Sequence, residues 1–384
     1  MKVLLISNYR PDKQQSMLRY AEMLQRELSN RGCDVDVVHP PVVLGNLPFL
    51  PKPAKKWIGY IDKYLFAPGY LRRHARKADI VHICDHSNSM YLQTTSSRPS
   101  LITCHDLLAV FAARGAFPHV KTGLTGRIQQ RWIAANLVRA QHIVCMSGKT
   151  QDDLETLSPG IRLRTQVIHH TLNWSYAPAS SAAVAEARKT AGLDSETEYL
   201  LHVGGNQWYK NRLGVLRIFF ELRRYRQFQN AKLIMAGKPW TPEMLKYCES
   251  SGLKDSVIQR VEVANEELQA LYSGAIALLF PSYEEGFGWP ILEAQACGCP
   301  VITSDRAPMT EIAGNGALFI DPDSPDLAAR SIAEHTADLP LLREAGFQNL
   351  RRFGREKMIN SYLEFYKKVL NRAEIGLDDT MCNG

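Results

Sequence analysis

Short apolar segments alternate with stretches of helical periodicity along most of this chain, and that alternation restricts the fold more than any other feature. The first segment, Lys2–Ser7 (KVLLIS), is apolar without polar alternation, as expected of a strand buried on both faces. Four more strands are predicted in the first half: Asp34–His39, Ile80–Cys84, Leu101–Cys104 and Ile143–Met146. Helices between such strands indicate βαβ units in a doubly wound parallel sheet.

Two helix starts are predicted from capping residues. Ser16 is expected to cap a helix whose apolar positions follow at helical spacing, and Gly32 is expected to end it. Ser147 is expected to cap another helix directly after the fifth strand.

The same rhythm restarts in the second half of the chain, where five strands are predicted: Tyr199–Val203, Lys232–Ala236, Val257–Val261, Ala275–Phe280 and Val301–Thr303. Residues 174–197 contain Pro178, paired serines and an Ala-rich stretch but no strand signal, so we predict a linker there. The expected organisation is an N-terminal domain over 1–173, a C-terminal domain over 198–355, and a C-terminal helix within 356–384 that packs back on the first domain and ends in a polar tail. Ligands of such α/β domains bind beyond the carboxyl ends of the strands.

Composition excludes several classes of protein. The 384 residues are 45% hydrophobic and 22% charged, which is typical of a globular chain with a sizeable core. No apolar run approaches the roughly 18 residues of a membrane span, and the opening MKVLLISNYRP lacks the apolar length of a signal peptide. The eight cysteines form no C-x-x-C pair, so we expect free thiols and a cytoplasmic location.

Positive charge is concentrated in the first half. Residues 1–180 carry 23 Lys and Arg against 12 Asp and Glu, whereas residues 181–384 carry 23 against 27. Within residues 52–77, eight basic residues and one Asp are interleaved with five aromatic residues. This pattern suits an anionic membrane surface, and the same electrostatics suit nucleic acid; a solvated face with core aromatics is the third reading. The sequence leaves the membrane contact and the solvated face open as alternatives, and we expect no nucleic acid.

The strongest local signal is Pro281–Val301 (PSYEEGFGWPILEAQACGCPV), where an apolar strand enters a loop and Pro290 then opens a helix. The loop holds a carboxylate and two glycines: Glu285, Gly286, Phe287 and Gly288. Glycines at a helix N-terminus let a ligand approach the backbone N–H groups, and the helix dipole favours an anion there. A phosphate on these amides, with sugar hydroxyls on Glu285 and Glu293, satisfies every group. A surface loop with a solvated Glu pair is the alternative.

The segment EGFGWPILE resembles the E-x7-E motif of retaining GT-B glycosyltransferases, and its continuation EAQACGCPVITSD resembles glycosyltransferase family 4 (group 1). The resemblance extends to APMTEIAGNGALFIDPDSPDLA, LHVGGNQWYKN and TCHDL. It implies the GT-B fold, in which two Rossmann-like domains face each other across a cleft. It also implies transfer of a hexose from a nucleotide diphosphate sugar with retention of configuration, without a metal or other cofactor.

The resemblance assigns roles to the residues of the motif. Glu293 matches the Glu that binds the nucleotide ribose, and Glu285 matches the Glu near the donor sugar, where we expect a catalytic role. The backbone at Gly286, Phe287 and Gly288 is expected to touch the sugar and phosphate.

Further residues are assigned upstream. Lys210, in YKN, matches the family's lysine on the donor diphosphate, and Gly204 and Gly205 precede it at a strand end. His105, in LITCHDL, resembles the acceptor-side His close to the donor sugar and is the second expected catalytic residue. Arg212 is the nearest candidate for an Arg that many members place shortly before the Lys.

Three departures from the family pattern affect single contacts. The loop after the first strand, Asn8–Ser16, contains no glycine where many members have a pair that meets the diphosphate. No Arg occurs between Gly205 and Tyr209. The family's usual Asn-Gly turn near the hinge is replaced by His170-Thr171.

Other enzyme classes fit less well. No G-x-G-x-x-G follows Lys2–Ser7 and no P-loop pattern occurs, which argues against nicotinamide and P-loop enzymes. His82 and His86 have metal-like spacing but lack companion ligands. The remaining rivals are another GT-B enzyme, such as a nucleotide-sugar epimerase or a pyridoxal-type phosphorylase, and a non-catalytic protein on the same scaffold. The sequence leans to GDP-mannose over UDP-hexoses as donor, and to a glycan or lipid-linked acceptor in surface polysaccharide or glycolipid synthesis.

Overall fold

A computed structural model of the chain describes residues 1–45 and 52–381. For Gln15, 52–56 and 373–381 it describes the backbone only. The chain divides into two compact units. The first unit comprises Met1–Asn173 and the segment from Arg355 onward, and the second comprises Trp174–Gly354. No helix among the described residues is long and apolar enough to cross a membrane.

The first unit is built on a six-stranded sheet. Its strands are β1 (Lys2–Ile6), β2 (Asp34–Val38), β3 (Ile80–Ile83), β4 (Ser100–Cys104), β5 (Ile143–Cys145) and β6 (Thr165–Val167). They lie in the order β2-β1-β3-β4-β5-β6 and every neighbouring pair is parallel. In this register Leu5 pairs with Val37 on one side and with His82 on the other.

Helices flank this sheet at Gln15–Ser29, Lys52–Ile61, Ala67–Ala75, Tyr91–Thr94, Leu108–Ala113, Leu124–Leu137, Gly148–Leu157 and Arg355–Met381. Ser147 caps its helix as predicted, because its side chain accepts the N–H of Thr150. The predicted Ser16 cap is wrong. The helix begins at Gln15, and the N–H groups of residues 17 and 18 both donate to the carbonyl of Gln14, which places Ser16 inside the first turn.

The second unit repeats this architecture. Its strands are β7 (Tyr199–Gly204), β8 (Lys232–Gly237), β9 (Val257–Val261), β10 (Leu278–Phe280), β11 (Val301–Ser304) and β12 (Ala317–Ile320). They are parallel and lie in the order β12-β11-β10-β7-β8-β9. This is the order of a doubly wound dinucleotide-binding sheet, so the predicted α/β class with two Rossmann-like units is confirmed.

The helices of the second unit are Ser181–Thr190, Arg212–Leu222, Pro242–Ser250, Asn265–Gly274, Trp289–Ala296, Met309–Ala313, Pro325–Glu334 and Leu339–Leu350. The first of them lies inside the segment that the sequence predicts as a linker. Ser180 caps it by accepting the N–H of Ala183 at 3.3 Å, and its Ala-rich sequence favours the helical state. Residues 174–197 therefore fold with the second unit.

The C-terminal helix packs against the sheet of the first unit through buried tyrosines. The hydroxyl of Tyr366 lies 2.7 Å from Nδ1 of His82, and the hydroxyls of Tyr362 and Tyr20 are hydrogen-bonded. Nε2 of His82 lies 2.7 Å from the hydroxyl of Thr103. Both ring nitrogens of His82 are thus occupied by protein groups, which argues against a metal on the His82 and His86 pair. The described residues contain no cluster of three His, Cys, Asp or Glu suited to a metal ion.

Gly237 has a testable role, because it ends β8 beside the end of β7. Its φ is +141°, and a Cβ there would lie 2.0 Å from the carbonyl oxygen of Gly204. We expect Gly237→Ala to lower the free energy of unfolding by about 3 kcal/mol or more, through backbone strain and a steric clash. Urea unfolding measures this change. Gly354→Ala is the control, since a Cβ there meets nothing within 4 Å; equal effects of the two substitutions would contradict the prediction.

Candidate functional site

The candidate site lies where β7 and β10 adjoin in the sheet of the second unit. Connections from these two strands leave in opposite directions, because β8 and β9 lie on one side and β11 and β12 on the other. Such a switch point opens a crevice beyond the carboxyl ends of the strands, where ligands of doubly wound sheets bind. We call the loops after β7 and β10, with the start of helix Trp289–Ala296, the switch-point edge.

Lys210 and Glu285 form an ion pair at this edge. Nζ of Lys210 lies 2.7 and 2.9 Å from the two carboxylate oxygens of Glu285. The two side chains are only 15% and 7% exposed. Nζ of Lys210 also lies 5.1 Å from the ring centroid of Phe280, the last residue of β10. The structure thus brings together two residues that are 75 positions apart in the sequence.

Glu293 occupies a different environment in the first turns of helix Trp289–Ala296. Its carboxylate is buried and accepts a 3.0 Å hydrogen bond from the hydroxyl of Tyr272. Burial raises the pKa of Glu293 to about 7, although the Tyr272 hydrogen bond and the positive charge of Lys210 both oppose that rise. The two carboxylates therefore differ: Glu285 is neutralised by an ion pair, and Glu293 is a desolvated acid that titrates near neutral pH.

Arg212 adds a second cation to the edge, at the first position of helix Arg212–Leu222. Its guanidinium is buried, and Nη1 donates to the carbonyl of Lys238 at 2.8 Å and to the side chain of Asn206. Burial lowers the pKa of Arg212 to about 10. Its Nε and Nη2 have no hydrogen-bond partner among the described residues. Buried N–H groups are rarely left unsatisfied, so this guanidinium has two donors available for an anion.

Backbone geometry completes the edge. Gly288 is the N-cap of helix Trp289–Ala296 with φ of +102°, a conformation that favours glycine. Phe287 is buried, and its ring makes edge-on contacts with Trp289 and Phe353 at centroid distances of 6.1 and 6.0 Å. Gly286 immediately precedes it in this loop. The dipole of this helix favours an anion at its start, where Pro290 has no N–H and the N–H of Ile291 donates to the carbonyl of Gly288 at 3.0 Å.

On the β7 side, Gly204 ends the strand and Gly205 follows it. A Cβ at Gly204 would approach Nε2 of His202 to 3.0 Å, so the chain is compact at this strand end. His202 is itself buried, with Nδ1 3.0 Å from the carbonyl of Leu279 and Nε2 without a partner among the described residues.

Sequence reasoning missed two residues that organise the site. Tyr272 holds Glu293 from a neighbouring helix, and nothing local marks it. Asn211 adopts a left-handed φ of 49°; its side chain accepts the N–H of Gly214 at 3.1 Å and donates to the carbonyl of Pro281 at 3.0 Å. It thereby fastens the turn carrying Lys210 to the loop after β10. An Asn next to the Lys was the available signal, because Asn tolerates this conformation.

The first unit holds His105 directly after β4. The ring of His105 is buried, with Nε2 2.8 Å from the carbonyl oxygen of Cys84 and Nδ1 3.2 Å from Nε2 of His170. A carbonyl only accepts, so Nε2 of His105 carries the proton and Nδ1 accepts from His170. Burial lowers the pKa of His105 although the charge of Asp85 opposes this. The residue is therefore neutral near pH 7, and His170, which departs from the family pattern, is its hydrogen-bond partner.

The glycine-free loop after β1 is occupied by side-chain hydrogen bonds. Nδ2 of Asn8 donates to the buried carboxylate of Asp85 at 2.5 Å, and Nδ2 of Asn88 donates to the amide oxygen of Asn8 at 3.1 Å. Nδ2 of Asn8 also bonds to the side chain of Gln14. The loops after β1 and β3 thus present amides and a carboxylate at the switch point between these strands, where the family pattern has glycines.

Comparison with known proteins adds independent findings. The family model described as Glycosyltransferase Family 4 matches residues 17–173, and the one described as Glycosyl transferases group 1 matches residues 184–367. O-antigen chain mannosyltransferase B of Escherichia coli is 27% identical over 173 residues, covering 44% of this chain and 45% of that protein. O-antigen chain mannosyltransferase RfbU of Salmonella typhimurium is 29% identical over 186 residues, covering 48% of each. These alignments span about half the length of the two relatives.

Solved structures match over nearly the whole chain. Sucrose-phosphate synthase from Thermosynechococcus elongatus has a TM-score of 0.72 at 19% identity and covers 97% of this chain and 100% of that one. Anabaena Alr3699/HepE, in complex with UDP and glucose, has a TM-score of 0.72 at 15% identity, and the match covers 96% of this chain and 99% of that one.

These likenesses, with the two doubly wound sheets, confirm the predicted GT-B fold. The chain belongs to the glycosyltransferases that the two matched models describe, with a Family 4 first half and a group 1 second half.

The raised pKa of Glu293 gives a test of its environment. A carboxyl whose pKa is about 7 in the folded state and about 4.5 in the unfolded chain contributes stability below pH 4.5 that is lost as the pH rises through 7. We expect Glu293→Gln to stabilise the ligand-free protein at pH 8, by on the order of 2 kcal/mol, and to lose most of that gain at pH 5. Chemical unfolding at the two pH values measures this difference. Glu344→Gln, an exposed site on helix Leu339–Leu350, is the control; a gain at pH 8 no larger than that of the control would refute the buried-acid assignment.

Proposed function

We propose that this chain transfers a hexose from a nucleotide diphosphate sugar to a hydroxyl of a glycan or lipid-linked acceptor, with retention of anomeric configuration. The observation that carries the proposal is the set of charges at the switch-point edge. Two cations, two carboxylates in unlike environments and a glycine-capped helix start meet where doubly wound sheets bind nucleotides. A diphosphate flanked by a sugar and a ribose carries the complementary groups.

The donor's parts have matching partners at this edge. The diphosphate is assigned to Lys210, to Nε and Nη2 of Arg212 and to the start of helix Trp289–Ala296. The ribose hydroxyls are assigned to Glu293, whose carboxylate already accepts one hydrogen bond from Tyr272. Hydroxyl groups that donate hydrogen bonds to Glu293 favour its charged form. Binding of the nucleotide sugar is therefore expected to lower the pKa of Glu293.

The ion pair suggests how binding changes the site. In the structure Lys210 pairs with Glu285. A diphosphate carries more negative charge than one carboxylate, so it competes for the ammonium group and releases oxygens of Glu285 to accept hydroxyls of the sugar. A partly buried pair broken without such replacement is destabilising, which keeps the two residues together until the donor arrives.

In the proposed step, the bond from the sugar's anomeric carbon to the phosphate oxygen breaks and a bond to the acceptor oxygen forms on the same face. The departing phosphate takes the acceptor's proton, which balances the reaction without a further base. Lys210, Arg212 and the backbone amides stabilise the charge that develops on the diphosphate. His105 is neutral with both ring nitrogens engaged, which favours the phosphate as the proton acceptor.

The donor is proposed to be GDP-mannose, with UDP-hexoses as the second choice. The E-G-F-G-x-P motif and two relatives named as O-antigen mannosyltransferases support mannose. The neighbour of similar fold bound to UDP and glucose supports the second choice. The reaction then belongs to surface polysaccharide or glycolipid synthesis at the cytoplasmic side of a membrane.

Calorimetric titration with GDP, UDP and ADP tests the donor site. We expect selective binding of one nucleotide, weakened about tenfold or more in Lys210→Gln, because a charge-assisted contact is lost. Lys254→Gln, an exposed site in the same unit, is expected to bind as the unaltered protein does. Affinity should fall as the pH decreases through 7 and this fall should be absent in Glu293→Gln, since the charged carboxylate is the acceptor. Failure of all three nucleotides to bind would overturn the assignment, and an inverted product would overturn retention.

A membrane location is also proposed, from an apolar face on the first unit. Two helical stretches each expose an apolar residue at every fourth position: Trp57, Ile61 and Leu65 on one, and Leu124, Ile128 and Trp132 on the other. These six side chains are between 41% and 74% exposed. Tyr64 and Trp132 join the two stretches at a ring distance of 5.0 Å, beside a groove of about 280 Å³. We call this the aromatic face.

Charge identifies the proposed occupant of the aromatic face as an anionic bilayer surface. Residues 52–77 and 124–137 contain ten Lys and Arg and a single acidic residue, Asp62. That carboxylate is buried and accepts hydrogen bonds from the hydroxyl of Tyr9 at 2.6 Å and from the backbone N–H of Leu44 at 3.0 Å. Lys63 is paired with Asp12 at 2.8 Å, but basic residues still far outnumber acidic ones in these two stretches. Aromatic and aliphatic side chains within such basic stretches match the headgroup region of anionic lipids.

Vesicle sedimentation tests this surface. We expect binding to vesicles that contain phosphatidylglycerol, weak binding to pure phosphatidylcholine, and about tenfold weaker partitioning for Leu124→Ser/Ile128→Ser, because the apolar area is lost. Leu163→Ser removes an apolar side chain that is 87% exposed elsewhere on the same unit and serves as the control. Unchanged vesicle binding by the double variant would refute the proposal, as would self-association of the protein through this face.

A further inference from the structure

A second cavity lies at the opposite edge of the sheet of the first unit. Its volume is about 490 Å³, and it opens at the amino ends of β4, β5 and β6, where Ser100, His142 and Arg164 line it. His105 follows the carboxyl end of β4. Because the strands are parallel, the length of the sheet separates this cavity from the edge that carries His105.

Four arginines line this cavity: Arg98, Arg139, Arg164 and Arg372. No carboxylate is among the lining residues, and within the part of the chain that the structure describes none of these arginines forms an ion pair. Nη2 of Arg98 donates to the carbonyl of Arg76 at 2.7 Å, and Nη1 of Arg164 donates to the carbonyl of Ala140 at 2.9 Å. These bonds orient two of the guanidiniums without neutralising their charge.

The remaining lining suits the same kind of ligand. The hydroxyl of Ser100 and the side-chain amides of Gln93 and Gln141 supply neutral donors, whereas the hydroxyl of Ser96 donates to the carbonyl of Gln93 at 2.9 Å. Guanidinium groups match phosphate oxygens in geometry and charge, and charge-assisted bonds of this kind are stronger than neutral ones. Four like charges around one cavity repel each other unless an anion enters it.

His142 lines the cavity and experiences the positive charge around it. This side chain is buried, and its ring packs edge-on against Phe365 of the C-terminal helix at a centroid distance of 6.0 Å. Burial lowers the pKa of His142, and the positive charges of Arg372 and Lys368 on the same helix lower it further. An anion in the cavity would offset those charges and raise the pKa of His142, which makes this histidine a local reporter.

We propose that this arginine-lined cavity binds a phosphorylated ligand with two or more negative charges, at a site separate from the donor site. The cavity belongs to the first unit, whereas Lys210, Arg212, Glu285 and Glu293 belong to the second. It therefore does not depend on the proposed function of the switch-point edge. A soluble diphosphate and the phosphate headgroup of a lipid share the chemistry that the cavity recognises.

The test is an NMR titration of the imidazole signal of His142, assigned by its loss in His142→Gln, with inorganic pyrophosphate as the probe. We expect saturable binding that raises the pKa of His142. Arg139→Gln/Arg372→Gln removes two exposed guanidiniums and should weaken binding by about tenfold per contact. Arg19→Gln/Arg114→Gln removes the same charge from exposed sites of the same unit outside the cavity lining and should leave the affinity unchanged.

The measurement is repeated in the Lys210→Gln background, which separates this site from the donor site. A His142 response that persists there supports the cavity even if nucleotide binding fails. No shift of the His142 signal, or equal weakening in the two double variants, would overturn the proposal. If short-chain phosphatidic acid acts at lower concentration than pyrophosphate, the ligand is a lipid headgroup; the reverse order indicates a soluble phosphate.

Discussion

Parallel pairing of strands is the constraint on which both units depend. A parallel pair cannot be closed by a tight turn, so each strand is followed by a crossover, and the carboxyl ends of all strands in a sheet lie at one edge. Residues 204–212 and 285–293 are distant in sequence but follow adjacent strands, β7 and β10. The same rule brings Asn8, Asp85 and Asn88 together after β1 and β3 in the first unit. The charged groups of the candidate site thus lie at one edge of its sheet, whereas polar residues within the strands, such as His82, are hydrogen-bonded there.

The charges at the switch-point edge oppose folding. Glu293 is desolvated, Arg212 is buried with two unsatisfied donors, and Lys210 is held by a single carboxylate. Burying charge is unfavourable unless every group is paired. Such groups concentrate at functional sites because a bound ligand completes their pairing. The surrounding core differs in this respect: residues such as Leu279 and Ile302 are fully buried and apolar, so their burial stabilises the fold.

Much of this fold is readable from the sequence, because buried parallel strands are continuous apolar runs. The predicted range of β9 agrees with the structure, and β1 and β8 differ by one residue. Strands β6 and β12 were missed because they are short edge strands, and β6 (TQV) has an exposed polar centre. The strand predicted at Ala275–Phe280 starts only at Leu278, since the preceding helix extends to Gly274. The glycine loop, its two carboxylates and Lys210 are identified by local motifs. The pairing of Glu285 with Lys210 and of Glu293 with Tyr272 is set by tertiary packing, which no local pattern encodes.

The return of the chain from Arg355 onward has a consequence for synthesis. A ribosome makes residues 1–173 first, yet the hydroxyls that complete the interior of that unit belong to Tyr362 and Tyr366. Until they emerge, His82 and Tyr20 lack partners that the finished protein supplies. The first unit begins to be translated first but is completed last. All residues of the second unit are translated before the C-terminal helix of the first unit.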